Sequence, residues 1–149
     1  DMLKVFPFPN RQVTLTVTGA VLKAALERCA SYFDLEDGQV VISERFTKPK
    51  AEHYNYDYYA GVEYTADIRR PVGDRVSGVL VNGAPLEPER TYRLAMSDYR
   101  ATGTGGYECF QSCPEPEVFS GDMQSTVLEY LECHPDAQVK PLGRVKVVW

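Results

Sequence analysis

Eleven residues from Ser97 to Tyr107 combine the residue types that best suit a ligand site. They read SDYRATGTGGY and follow a strand pattern at residues 91–96. Glycine lets a backbone approach a ligand or adopt a positive φ without a Cβ clash. Tyrosine offers a flat face for stacking and a hydroxyl for a hydrogen bond. The segment predicts either a ligand-binding edge or a glycine-rich turn whose tyrosines only pack on the surface, and the residue pattern leaves both open.

No catalytic set accompanies this glycine loop. The two histidines lie far apart, and the sequence has no paired-histidine metal pattern, G-x-S-x-G, Cys/His signature or P-loop. Asp98 is the carboxylate beside the loop, where a structural role is as reasonable as a functional one. Cys109 and Cys113 lack a second pair of zinc ligands, while a disulfide between them stays open. We therefore predict no catalytic and no metal-binding residues in this chain.

Two further stretches are candidates for ligand contact. Phe8 stands between two prolines and is followed by Asn10, so it is either a core anchor or an exposed ring held stiffly by its neighbours. Residues 53–61 read HYNYDYYAG. This run predicts either a strand-loop packed on the core by its rings or a pocket wall that includes Asn55 and Tyr56. His53 within it is more typical of a surface position than of a catalytic one.

Length and charge narrow the class of protein. The chain has 149 residues, enough for one domain with a real core, and a formal net charge of −5. That charge argues against a nucleic-acid polymer as partner, although a single nucleotide needs only a few local donors. No run of about 18 apolar residues is present, so no membrane span is predicted. A chain that opens at Asp1, without a signal peptide, is expected to be an excised domain or a processed product.

Periodicity predicts the elements that would position these residues. Alternating apolar residues predict a strand at 12–18, and helical spacing predicts a helix at 19–33 with Thr18 as its N-cap. A loop is expected at 43–53. A second helix is expected at 123–133, with Val127, Leu128 and Leu131 facing inward. Further strands are predicted at 3–6, 62–68, 75–81, 92–96 and 144–149, the middle ones forming an antiparallel meander with a tight turn at Asn82-Gly83. Two helices with about seven strands indicate an α+β domain.

Five stretches taken together resemble the C-terminal domain of the 5′-nucleotidase family, in particular its 2′,3′-cyclic-nucleotide 2′-phosphodiesterase/3′-nucleotidase branch. They are KVFPFPN at 4–10, LTVTGAVLKAALE at 15–27, YNYDYYAGVEYTADIRRPVGDRV at 54–76, LVNGAPLEPERTYRLAMSDYRATGTGGY at 80–107, and the terminal strand. The resemblance implies mixed and antiparallel sheets with two main helices in an α/β/β/α layering. It also implies a separate N-terminal metallophosphoesterase domain, absent from this chain, that holds two divalent metal ions.

The resemblance assigns roles residue by residue. Phe8 and Tyr99 occupy the places of two rings that sandwich the base, and Asn10 matches an asparagine that hydrogen-bonds the base edge. The predicted substrate-binding set is completed by Asn55, Tyr56, Gly103, Thr104, Gly105 and Tyr107. The chain departs from the family at two of its positions. Gly105 stands where many members carry an aspartate that contacts the ribose, and Asp98 stands where the cyclic-nucleotide branch often has asparagine.

The expected function follows from that resemblance. The chain is predicted to be the nucleoside-binding, substrate-specificity domain of an exported, metal-dependent nucleotide hydrolase, without cofactor or catalytic activity of its own. The family is typically periplasmic or at the cell surface. Two alternatives stay open: a parent that is a 5′-nucleotidase or UDP-sugar hydrolase of the same family, and a binding module that kept the fold without the nucleotide.

Overall fold

Nine strands and three α-helices lie among the residues that the computed structural model describes, which are Lys4, residues 7–138 and residues 143–149. The strands are β1 (Arg11–Thr18), β2 (Phe33–Glu36), β3 (Gln39–Ile42), β4 (Val62–Asp67), β5 (Val76–Val81), β6 (Ala84–Pro85), β7 (Thr91–Ser97), β8 (Glu117–Asp122) and β9 (Arg144–Val148). The helices are α1 (Gly19–Ala30), α2 (Asp98–Ala101) and α3 (Met123–Cys133). The mixed sheets and few helices confirm the α+β class.

The chain divides into two units, of which the first comprises residues 1–17 and 91–140. Its sheet has the order β7-β1-β8, with β8 antiparallel to β1. Val13, Leu15 and Val17 of β1 are buried, which confirms the predicted half-buried strand. Strand β8 was not predicted, because almost all of its residues are exposed and its sequence therefore lacks an apolar alternation.

The second unit comprises residues 18–90 and 141–149. Its main sheet has the order β6-β5-β4-β9, in which β4 pairs antiparallel with β5 and parallel with β9. Helix α1 buries Leu22 and Leu26 and contacts β5. The Thr18 hydroxyl accepts a hydrogen bond from the Val21 N–H at 3.3 Å, so the predicted N-cap is confirmed. The predicted tight turn is also confirmed, since Asn82 has φ 49° and Gly83 has φ 81°.

A buried ionic network joins α1 to β5. The Glu27 carboxylate accepts hydrogen bonds from the backbone N–H groups of Arg75 and Val76, each at 2.9 Å. The Arg75 guanidinium donates to the carbonyl oxygens of Phe33 at 2.6 Å and Arg70 at 2.9 Å. Buried charges are tolerated where hydrogen bonds satisfy them. These backbone groups do so together with two side chains, Lys23 at 3.0 Å from Glu27 and Asp34 at 3.2 Å from Arg75.

Helix α1 ends earlier than predicted. It stops at Ala30 rather than near residue 33, because Phe33 begins the hairpin β2–β3. The turn of that hairpin is Asp37-Gly38, both with positive φ. The predicted loop at 43–53 contains a short 3-10 turn, Glu44–Phe46, whose Phe46 is buried in the unit.

The structure departs from two predictions of long-range packing. Strand β7 does not continue the meander, because it pairs with β1 in the other sheet. Helix α3 is present, but the inward face predicted for it is wrong: none of its residues is buried, and Leu128 and Leu131 are exposed. The predicted strand at 3–6 lies outside the described residues except for Lys4.

Candidate functional site

The glycine loop begins on a short helix. The Ser97 hydroxyl caps α2 by accepting a hydrogen bond from the Arg100 N–H at 3.2 Å. After α2, Gly103, Gly105 and Gly106 have φ values of 84°, 83° and 91°, a region that L-residues with a Cβ rarely adopt. The Tyr107 N–H then donates to the Gly103 carbonyl at 3.0 Å and closes the turn. The three glycines are therefore required by the backbone path of the loop itself.

Arg100 lies beneath the loop and is 7% exposed. Its guanidinium sits 4.3 Å from the ring centroid of Tyr107 and 5.8 Å from that of Tyr99. It also donates a hydrogen bond to the Thr104 carbonyl. A guanidinium placed against two rings and a carbonyl holds the loop together, so Arg100 has a structural task.

Tyr107 has no exposed surface. Its ring stacks on Phe110 with a centroid distance of 5.7 Å and an interplanar angle of 6°. Phe110 belongs to the 3-10 turn Glu108–Ser112 that follows the loop. Burial does not support the ligand contact predicted for Tyr107, because the residue anchors the loop from below. Thr104 stays at the surface of the loop, with its hydroxyl 2.6 Å from that of Thr102.

The two rings predicted to stack on a base are both exposed. Phe8 is 67% exposed and Tyr99 is 41% exposed. Both lie in the first unit. Phe8 is three residues from Arg11 and Tyr99 directly follows Asp98, and Arg11 and Asp98 contact each other through hydrogen bonds that join the two segments. Asn10 is partly exposed, and its carbonyl accepts a hydrogen bond from Met123, the first residue of α3. The structure thus brings Phe8, Asn10, Tyr99 and the glycine loop into one unit and leaves both rings available.

Asn55 and Tyr56 lie in the second unit. Asn55 is 1% exposed, and its side-chain amide donates to the Glu52 carboxylate at 3.1 Å. Tyr56 packs against Tyr32 and Phe33, with centroid distances of 4.8 Å and 5.8 Å. Burial raises the pKa of the Tyr56 hydroxyl. Of the two alternatives for residues 53–61, a strand-loop packed by its rings or a pocket wall, these contacts fit the packed strand-loop. The burial of Asn55 gives no support to its predicted ligand contact.

His53 has a structural partner. Its Nδ1 lies 2.9 Å from the Tyr32 hydroxyl, and its ring makes an edge contact with the Tyr32 ring. The histidine therefore belongs to the aromatic cluster of the second unit.

The cysteines are free thiols. Burial, together with the neighbouring Cys113, raises the pKa of the Cys109 thiol to about 11. Within the part of the chain that the structure describes, no group of three or more His, Cys, Asp and Glu side chains could hold a metal ion. None of the helices described is long and apolar enough to cross a membrane.

Sequence reasoning missed Arg11, because no motif marks it. It also missed an open depression of about 500 Å³ on the second unit, lined by side chains of β4, β5 and β9. The lining residues include Glu63, Thr65, Arg144 and Lys146. These residues alternate along their strands and so share one face of the sheet, but no sequence signal indicates that this face stays open.

The fold and the loop define a class of protein domain: an α+β domain with mixed sheets and a capped, glycine-rich loop after one strand. The family model of the 5′-nucleotidase, C-terminal domain, matches residues 1–112. The chain belongs to this family.

Similar proteins support the assignment. The chain is 30% identical to the protein UshA of Yersinia enterocolitica over 97% of its length, and 26% identical to a 2′,3′-cyclic-nucleotide 2′-phosphodiesterase/3′-nucleotidase of the same species over 68%. It superposes with a TM-score of 0.92 and 34% identity, over its full length, on a Staphylococcus aureus protein assigned as a 5′-nucleotidase and solved in complex with alpha-ketoglutarate. The chain spans 23%, 18% and 29% of these three proteins, respectively.

Proposed function

We propose that this chain is the nucleoside-binding domain of a nucleotide hydrolase, with the base stacked between Phe8 and Tyr99. The observation that carries the proposal is the exposure of these two rings on segments that one contact joins. Covering an exposed ring with a ligand is favourable because it removes apolar surface from water. The other aromatic residues of the loop region, Tyr107 and Phe110, are buried, so the exposure of Tyr99 is selective.

Stacking on rings suits a domain that accepts several bases. Every base has a π face, and each base–aromatic stack contributes roughly 1–3 kcal/mol with little sequence preference. Asn10 is the candidate for an edge contact, because its side chain lies two residues from Phe8 and is partly exposed. Gly103 and Gly105 supply the tight backbone path, and Thr104 presents a hydroxyl between them.

The catalytic part of this proposal concerns the parent protein. We expect an N-terminal metallophosphoesterase domain with two divalent metal ions, which activate water and stabilise the charge of the transition state. The present domain would position the substrate, so that the phosphate meets the metals. The family resemblance supports export of the parent to the periplasm or the cell surface.

The stacking proposal is tested by titrating the 149-residue chain with adenosine while recording amide NMR shifts. We expect shifts around Phe8 and Tyr99, and we expect Tyr99→Ala to weaken binding about 5- to 150-fold. Tyr130→Ala is the matched control, because Tyr130 is another exposed tyrosine of the same unit. Equal effects of both variants, or no shifts near the two rings, would favour the module that kept the fold without the nucleotide.

The parent is proposed to be of the 2′,3′-cyclic-nucleotide 2′-phosphodiesterase/3′-nucleotidase type, because Gly105 replaces the aspartate that many 5′-nucleotidases place on the ribose. A 5′-nucleotidase or UDP-sugar hydrolase of the same family is the second candidate, and the likeness to the Staphylococcus aureus protein assigned as a 5′-nucleotidase supports its 5′-nucleotidase form. A substrate panel on the full-length parent separates them: little turnover of 2′,3′-cyclic AMP would select the second candidate. The 149-residue chain should hydrolyse none of these substrates when divalent metals are added.

A further inference from the structure

We infer that Asp98 is a positioning residue that holds the segment of Phe8 to the segment of Tyr99. The inference rests on the proposed stacking function and adds a residue that acts through the rings without touching the ligand. It is drawn from hydrogen bonds that join positions 87 residues apart in sequence.

The Asp98 carboxylate serves both segments at once. Its Oδ1 accepts hydrogen bonds from the Arg11 N–H at 3.2 Å and from the Tyr99 N–H at 2.9 Å. Its Oδ2 lies 3.4 Å from the Nε of Arg11. Arg11 is three residues from Phe8, and Tyr99 directly follows Asp98. One oxygen therefore links the backbones that carry the two rings.

The backbone contacts outweigh the ion pair. The side chains of Arg11 and Asp98 are 57% and 33% exposed, and ion pairs of that exposure contribute little. Hydrogen bonds from an N–H to an ionised carboxylate are stronger than neutral ones and are directional. An acceptor at the position of Oδ1 is thus the required feature, whereas the charge on Arg11 is not.

Substitutions at Asp98 and Arg11 can therefore separate the backbone hydrogen bonds from the ion pair. Asp98→Asn keeps an oxygen that can accept both N–H groups, and Arg11→Met keeps the backbone donor while it removes the ion pair. Arg11→Met should leave adenosine affinity within about twofold of the unmutated chain. Asp98→Asn, whose amide oxygen accepts more weakly than a carboxylate, should lose less affinity than Asp98→Ala. Asp98→Ala removes the shared acceptor, and losing one hydrogen bond to a charged group corresponds to a loss of affinity of about 13- to 150-fold.

A double-mutant cycle separates positioning from a general structural effect. If Asp98 acts through Tyr99, Asp98→Ala weakens adenosine binding in the otherwise unmutated chain but causes no further loss in the Tyr99→Ala variant. Asp67→Ala is the matched control, because Asp67 also accepts from a backbone N–H, that of Arg69 at 3.2 Å, and pairs with the arginine side chain. Asp67 lies in the second unit, and its substitution should leave adenosine affinity unchanged.

Amide hydrogen exchange gives a readout that needs no ligand. Asp98→Ala should speed exchange at the N–H of both Arg11 and Tyr99, whereas Asp98→Asn should not. Affinity unchanged in Asp98→Ala, additive losses in the cycle, or exchange unchanged at Arg11 would each overturn the inference. If the unmutated 149-residue chain does not bind adenosine, the stacking function is refuted instead. The exchange rates would still show whether Asp98 joins the segments of Phe8 and Tyr99.

Discussion

Replacing Gly103 with alanine should destabilise the fold more than the same change at another glycine of equal φ. Gly103 has φ +84°, and an added Cβ would lie 3.0 Å from the Tyr107 carbonyl oxygen and 2.8 Å from the Gln111 Cγ. Gly83 has φ +81° and no atom within 4 Å of an added Cβ. Gly83→Ala therefore measures the backbone conformation alone, and the difference between the variants measures the close approach.

The magnitudes follow from these two terms. Holding an alanine at this φ costs about 1–2 kcal/mol, which both variants share. The Gln111 side chain is exposed and can move away, but the Tyr107 carbonyl belongs to the backbone that closes the turn. Overpacking against groups that cannot yield costs about 1–3 kcal/mol. We expect Gly103→Ala to lower the free energy of unfolding by about 2–5 kcal/mol and Gly83→Ala by about 1–2 kcal/mol.

Urea denaturation followed by circular dichroism provides the assay, with both variants measured beside the parent chain. A lower midpoint at an unchanged slope reports lost stability. Equal losses in the two variants would show that the loop opens freely around a new methyl group. The close packing of Tyr107 beneath the loop would then be irrelevant to its conformation.

Three further outcomes are expected. Leu26→Ala should lower the free energy of unfolding by about 2–5 kcal/mol because Leu26 is fully buried. Leu131→Ala, at an exposed position of α3, should lower it by less than about 1 kcal/mol. Similar losses in urea denaturation would show that α3 does pack an inward face. Burial raises the pKa of Tyr64 above its ordinary value, so folded chains keep a proton that unfolded chains lose, and stability should fall as pH rises above about 10. Tyr64→Phe should flatten that fall between pH 9 and pH 11, and an unchanged slope would contradict it. A thiol reagent should modify Cys133 first and Cys29 last, because the former is exposed and the latter buried; a fast phase that survives Cys133→Ser would refute this order.

Local patterns predicted the elements whose residues repeat with a clear period. The alternation of Val13, Leu15 and Val17 identified β1, and the stripe through Leu22 and Leu26 identified α1. Strand β8 was not predicted, because an exposed strand carries no apolar alternation. The exposure of α3 was not predicted either, because an apolar stripe on a helix does not show that other residues cover it. The pairing of β7 with β1 was not predicted either, since pairing between strands is set by contacts between residues far apart in sequence.

By itself, the sequence determined the glycine loop, its family and the lack of a recognisable catalytic motif. These depend on residue types at short spacing, which govern backbone conformation and the chemistry available to side chains. Only the tertiary structure decided which rings face outward. Phe8 and Tyr99 are exposed while Tyr107 is buried, because burial depends on which distant residues pack around each ring. The Asp98 contact with Arg11 arises in the same way: neither residue marks the other in the sequence, and the sheet that holds β7 beside β1 brings them together.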